Sequence, residues 1–138
     1  MKILPVLTLV SAFAAGATTL EAKEMKIKIT LDKQIHYATL ADNPASRSLM
    51  AKLPFSLPLE DYADSEKIAR PAFKLDTARA PARYQGKPGD ITYYAPWGNL
   101  ALFYRGGPDA AGLVYLGRFD GDYRALATAQ KIKIEAAE

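Results

Sequence analysis

The sequence predicts a mainly β fold, a closed or nearly closed barrel with one or two short capping helices, and three observations predict it. The chain of 138 residues holds many short runs of β-branched and aromatic residues, divided by Gly, Pro and Asp turn signals. Its two flanks carry matching period-two stretches, Met25–Leu31 and Lys131–Glu135. Between them only one or two segments read as helix, and these are short. The length suits a single domain with a real core.

Residues 1–22 stand apart from that fold. Lys2 gives a positive start, Ile3–Ala15 is a compact apolar run, and small residues follow in Ala15-Gly16-Ala17 and Leu20-Glu21-Ala22. This is the layout of a secretory signal peptide, and the run is too short for a comfortable permanent anchor. The expectation is an exported domain over residues 23–138, periplasmic or extracellular, with no membrane attachment once the leader is removed. In Met25–Leu31 the side chains of Ile27, Ile29 and Leu31 share one face and Lys26, Lys28 and Thr30 the other, which marks a strand with one buried side. Lys131–Glu135 repeats the pattern, and pairing the two stretches closes a barrel and hides two edges. His36–Leu40 is a second strand after a turn at Asp32-Lys33-Gln34.

Asn43 reads as a helix N-cap, with Pro44 at the first helical position, where its missing N–H costs nothing. Ala45–Lys52 continues the helix across one barrel mouth, and Pro54 stops it. Phe55–Tyr62 alternates again, with Phe55, Leu57 and Leu59 on one face; Pro54 and Pro58 predict an edge position or irregular pairing. Ala63–Gln85 is the least regular part, a functional or packing loop with short β segments expected around Ile68 and at Phe73–Leu75. Lys87-Pro88-Gly89-Asp90 is a turn. It leads into Gly89–Arg105, where strand runs Ile91–Tyr94 and Leu100–Tyr104 flank a Pro96/Gly98 break. Leu113–Phe119 is a strand, with Leu113, Tyr115 and Gly117 alternating against Val114, Leu116 and Arg118. Tyr123–Ala129 is a short helix before the last strand.

Composition excludes several kinds of activity. Apolar residues are 49% and charged residues 24%, and the formal charge of +3 comes from scattered Lys and Arg without a dense patch. No nucleic-acid partner is expected from such a surface. There is no cysteine, which removes disulfides, thiolate metal sites and cysteine nucleophiles together. His36 is the only histidine, and no G-x-S-x-G elbow presents a serine to it. One His and scattered carboxylates make no metal site. Asp120-Gly121-Asp122 lacks the remainder of a calcium loop and reads as a turn. Glu60 and Asp61 are strand neighbours on opposite faces, so they form no glycosidase pair. Gly106-Gly107 is followed by no G-K-[ST]. No catalytic residue, metal or cofactor is assigned.

The aromatics of Gly89–Arg105 carry the binding expectation. Tyr93 and Tyr94 face opposite sides of their strand, as do Phe103 and Tyr104, so about half of these rings belong to the core. Trp97, in the connection, carries an indole N–H that needs a partner and is the best candidate for a ring facing a site. The expected groove comprises Arg83, Tyr84, Tyr94, Trp97, Asn99, Phe103 and Arg105, and its ligand is a peptide or small molecule.

Several pieces in order resemble the small bacterial cyclophilin-like family: Asp42-Asn43-Pro44 with Leu49 and Leu53-Pro54, Leu57–Tyr62, Glu66-Lys67-Ile68, Lys74-Leu75-Asp76, Gly89–Tyr104 with its Y-Y-A-P-W-G-N core, and Gly112–Arg118. The resemblance covers residues from about 25 onward and implies a cyclophilin-type barrel with no settled activity. It raises peptidyl-prolyl isomerisation as an alternative. Cyclophilins use an arginine beside an apolar proline pocket and carry a Phe-His-Arg run that this chain lacks; Asn99–Tyr104 only loosely matches their Gln-Phe-Phe strand. The arginine would have to be Arg70, Arg79 or Arg83. Relatives joined to flavodoxin-like domains imply a third role, accessory to a flavin or redox enzyme.

Overall fold

The alternation that separates Ile27, Ile29 and Leu31 from their polar neighbours builds the first strand, with those three side chains buried and the others not. The computed structural model describes residues 24–137; the expected signal peptide at residues 1–22 lies outside them. Within them the chain runs through β1 (Met25–Leu31), β2 (Gln34–Leu40), α1 (Pro44–Met50), β3 (Phe55–Pro58), β4 (Glu60–Tyr62), β5 (Glu66–Ala69), β6 (Arg83–Gln85), β7 (Asp90–Tyr94), β8 (Asn99–Phe103), β9 (Asp109–Ala111), β10 (Leu113–Phe119), a 3-10 turn at Arg124–Ala127, and β11 (Lys131–Ala136).

The main sheet has the order β3-β11-β1-β2-β10-β7-β8-β5-β4. As the matching patterns predict, β1 and β11 pair, with Ile29 opposite Ile134. The two outermost strands, β3 and β4, are separated by Leu59 alone. They are therefore halves of one extended segment, the first paired with β11 and the second with β5. Leu59 donates its N–H to the Gln130 carbonyl at 2.8 Å and turns its side chain into the core. This change of partner beside Pro58 is the irregular pairing its ring predicts, and it brings the barrel nearly to closure.

Interior side chains include Ile27, Ile29, Leu40, Ile91, Tyr93, Leu100, Leu102, Leu116 and Ile134, all buried. Helix α1 rests on β10. Asn43 Oδ1 accepts the Ser46 N–H at 2.8 Å and Asn43 Nδ2 donates to the Tyr115 carbonyl at 3.0 Å, so one side chain both caps the helix and ties it to the sheet. Ser46 Oγ adds a bond to the Leu116 carbonyl, and Leu49 is fully buried. The helix ends at Met50, not Lys52, because its last turn tightens, with Lys52 N–H bonded to the Leu49 carbonyl, ahead of Pro54.

Four further differences have physical causes. Phe73–Leu75 is not a strand: the Phe73 ring stands edge-on to Phe55 at 5.3 Å and Leu75 enters the core, so these apolar residues anchor a loop. The expected helix over Tyr123–Ala129 contracts to the 3-10 turn, where Asp122 holds the Arg124 N–H and guanidinium and Leu126 is buried. Alternation in β10 breaks at a register shift between Tyr115 and Gly117. Finally, β6 and β9 pair as a separate two-stranded flap that the sequence does not announce. The flap lies against Phe103, whose ring occupies the space that a Cβ on Gly86 or Gly107 would need, at 2.5 and 2.7 Å.

Candidate functional site

Alternation on β8 sends Leu100 and Leu102 inward and Ala101 and Phe103 outward. The outward pair meets Ile68 of β5 and Leu113 of β10 in a second apolar cluster, with Tyr84, Tyr94 and Ala110 packed against it. The flap covers only part of this outer face. What stays open is a groove of about 230 Å³ lined by Tyr62, Glu66, Ile68, Tyr94, Trp97, Asn99, Phe103, Pro108, Ala110 and Leu113. Four of the residues expected to line a binding site, Tyr94, Trp97, Asn99 and Phe103, are thus brought together.

Trp97 occupies the turn between β7 and β8, which Gly98 completes with a φ of +70°. Its side chain is 55% exposed. The indole stands edge-to-face with Tyr94 at 5.3 Å and with Tyr62 at 5.8 Å. Asn99 contrasts with it, being 1% exposed. Its Nδ2 donates to the Leu100 carbonyl at 3.1 Å, while Oδ1 has no partner. A buried acceptor left unbonded is costly; the residue borders an apolar groove, while this oxygen is closed off from solvent.

Glu66 is the other polar group there. Among the described residues its carboxylate has neither a hydrogen bond nor an ion pair, and burial pushes it up to about 7. The neighbouring Lys67 does not relieve it, because that side chain turns to the opposite face, 3.4 Å from Asp61. Sequence reasoning missed Glu66 and Tyr62. They are register partners across β4 and β5, joined by a turn in which Ala63 and Asp64 have positive φ, and a run as short as Glu-Asp-Tyr gives little strand signal.

A raised carboxyl makes stability depend on pH with a definite sign. The folded state binds more protons than the unfolded chain between the ordinary value of 4.5 and about 7, so stability falls as pH rises across that window. Glu66→Gln removes this slope and makes the protein more stable than the parent above it. Urea unfolding midpoints compared across the window check this; identical pH profiles for the two proteins count against a desolvated Glu66.

The remaining expected site residues lie elsewhere. Arg83 is exposed on β6 and ion-paired with Asp109 at 2.7 Å. Arg105 lies 6.0 Å from the ring of Tyr104, which donates its hydroxyl to Asp61 at 2.6 Å. Tyr84 lines a different and larger cavity, about 490 Å³, beside Asn43–Ala45, Asp76, Arg79–Pro81 and Leu113–Tyr115. The polar groups of that cavity are largely consumed by the fold: Asn43 caps α1, and the Tyr84 hydroxyl donates to Asp90 at 2.6 Å. Glu60 and Asp61 do point apart, Glu60 to Arg70 and Asp61 to Tyr104. His36 packs edge-on to Phe119 at 6.0 Å with its buried Nε2 unpartnered. Among the described residues no three His, Asp or Glu side chains converge as a metal site, and no helix is long and apolar enough to cross a membrane.

The profile of the cyclophilin-like family matches residues 29–135. The chain belongs to the cyclophilin-like family. Its fold is similar to the solution structure of the hypothetical protein AF2241 from Archaeoglobus fulgidus, with a TM-score of 0.59, 17% identity, and coverage of 83% of this chain and 95% of that one. No curated protein matches. In this cyclophilin-like barrel the ingredients of the isomerase alternative do not meet: Phe103 lines the groove, which has no arginine in its lining, whereas Arg79 lines the larger cavity. Arg70 is 2.9 Å from Glu60 and Arg83 is held by Asp109.

Proposed function

We propose that this cyclophilin-like domain is an exported, non-catalytic binding module that takes a peptide or small organic ligand in the outer-face groove. The observation that carries the reading is the exposed Trp97, which lies with Tyr62, Tyr94 and the Glu66 carboxylate, unpartnered among the described residues, in the lining of one apolar groove. The rings suit the apolar part of a ligand, and the carboxylate offers an acceptor for a ligand N–H or O–H. Few convergent polar groups on an apolar concave surface are the ordinary make-up of a small-ligand site. Export is supported by Lys2 and the apolar run Ile3–Ala15.

The test is an NMR titration of the protein with an Xaa-Pro peptide, following the Trp97 indole, the Asn99 side-chain amide and the cis/trans exchange of the peptide. The expected result is saturable shifts at both protein groups with exchange still on the uncatalysed scale of tens of seconds. Trp97→Ala abolishes the shift of the Asn99 amide and, by removing two edge-to-face contacts, costs about 1 to 3 kcal/mol of stability. The intact mass of the same preparation, short of residues 1–17 or 1–22, checks export. Accelerated exchange replaces this reading with the isomerase alternative, for which Arg79 on the larger cavity is the residue to replace.

A further inference from the structure

Resting on the binding reading above, we infer that the groove receives an alkylammonium head, the cationic end of a methylated amine, held by the Tyr62, Tyr94 and Trp97 rings and the Glu66 carboxylate. The three rings come from β4, β7 and the turn that follows β7, and each lines the same groove. Trp97 contacts both tyrosines edge-to-face, at interplanar angles of 83° and 80°. Such contacts set the rings at right angles instead of stacking them, and an aromatic face carries the negative part of the ring quadrupole. A cation within about 6 Å of such a face is attracted to it.

Among the described residues no side chain already fills that role. The groove lining contains no lysine or arginine. Among the described residues the close cation–ring pairs lie elsewhere, Lys52 with Phe73 and Arg105 with Tyr104. Charge complementarity selects the sign of the ligand. Glu66 is a carboxylate in an apolar setting without a counter-charge, and such a group either takes a proton or takes a cation. Its desolvated position, which pushes it up to about 7, is what an arriving cation relieves. The side chains facing it are Tyr62 from β4 and Phe103 from β8, its register partners, with Tyr94 from β7 further along the groove; none supplies positive charge.

Methylation follows from the scarcity of acceptors. A bare ammonium has three N–H donors to satisfy, and the groove offers the Glu66 carboxylate among rings and aliphatic walls. A methylated head presents carbon to those walls and asks for fewer bonds.

Trp97 is the only tryptophan, so intrinsic fluorescence reports on the groove directly. The probes are choline, its uncharged carbon isostere 3,3-dimethylbutan-1-ol, and a short peptide bearing trimethyllysine. The expected result is saturable quenching by choline or by the peptide, with the isostere weaker on the order of tenfold. Whichever cation binds more tightly identifies a free amine or a protein tail as the source. Binding is weaker at about pH 5 than at about pH 8, where Glu66 is ionised. Glu66→Gln erases the pH dependence and reduces, without abolishing, the preference over the isostere, because the rings remain, while the unliganded emission maximum stays as in the parent. Equal binding of choline and its isostere overturns the inference and leaves the groove as a neutral apolar site. Absence of quenching by every probe, with the Xaa-Pro peptide still shifting Trp97, also overturns it and spares the binding reading. If that peptide is silent too, both fall.

Discussion

Asp90→Ala lowers folding stability by roughly 2 to 6 kcal/mol, about 1 to 3 for each of two stranded donors. Asp90 opens β7 and is 1% exposed. Its Oδ2 accepts the Tyr84 hydroxyl at 2.6 Å and the Lys87 N–H at 2.9 Å, and its Oδ1 lies 3.5 Å from Arg118. Arg118 is half in solvent, so that ion pair is screened and contributes little. The loss comes instead from two donors stranded without an acceptor, the tyrosine hydroxyl and a turn N–H. The hydroxyl carries a second mark of this arrangement: burial, then its bond to Asp90, pushes the Tyr84 phenol above its ordinary range. Asp90→Asn, which keeps one acceptor oxygen, retains part of the stability. Adding Tyr84→Phe to Asp90→Ala recovers some of it by removing one stranded donor. Chemical denaturation of the four proteins decides the matter; a loss below about 1 kcal/mol for Asp90→Ala shows that water satisfies these donors.

Gly117→Ala costs about 3 kcal/mol, at the upper end of ordinary overpacking. Gly117 lies at the register shift of β10 and pairs with Leu40 of β2. A Cβ there would stand 2.3 Å from the Thr39 carbonyl oxygen and 2.7 Å from the Leu40 Cα. Both are backbone atoms, so no side-chain rotation makes room, and β2 and β10 must part. Gly121 is the matched control, with open space where its Cβ would be. Gly121→Ala leaves the denaturation midpoint close to the parent, and equal midpoints for the two alanine variants would refute a close approach at Gly117.

Sequence pattern reads well where one residue type has one structural use. Period-two alternation in Met25–Leu31 and Lys131–Glu135 specifies strands with a buried face, and their pairing follows from the need to hide edges. Asn43-Pro44 specifies a helix start because few other residues combine a capping oxygen with a missing N–H. Pattern reads badly where apolar residues serve two ends. Phe73 and Leu75 look like strand residues yet fasten a loop, since anchoring and alternation use the same side chains. The flap strands Arg83–Gln85 and Asp109–Ala111 are three residues each, too short for a period to show. The groove was legible through Trp97 and the outward parity of Tyr94 and Phe103. Glu66 was not, because its importance comes from which strands lie beside it. Arg83 and Arg105 were expected beside the rings for their charge, but each has a nearer partner, Asp109 and Tyr104.

The adjacency of the first and last strands sets an order of events as the chain is made. Until Lys131–Ala136 emerges, Ile27 and Ile29 face no Ile132 or Ile134, and β3 lacks its partner as well. Contacts so distant in sequence form late and close large loops. A chain still being synthesised therefore has an open sheet and no finished barrel until Lys131–Ala136 has emerged to pair with β1 and β3.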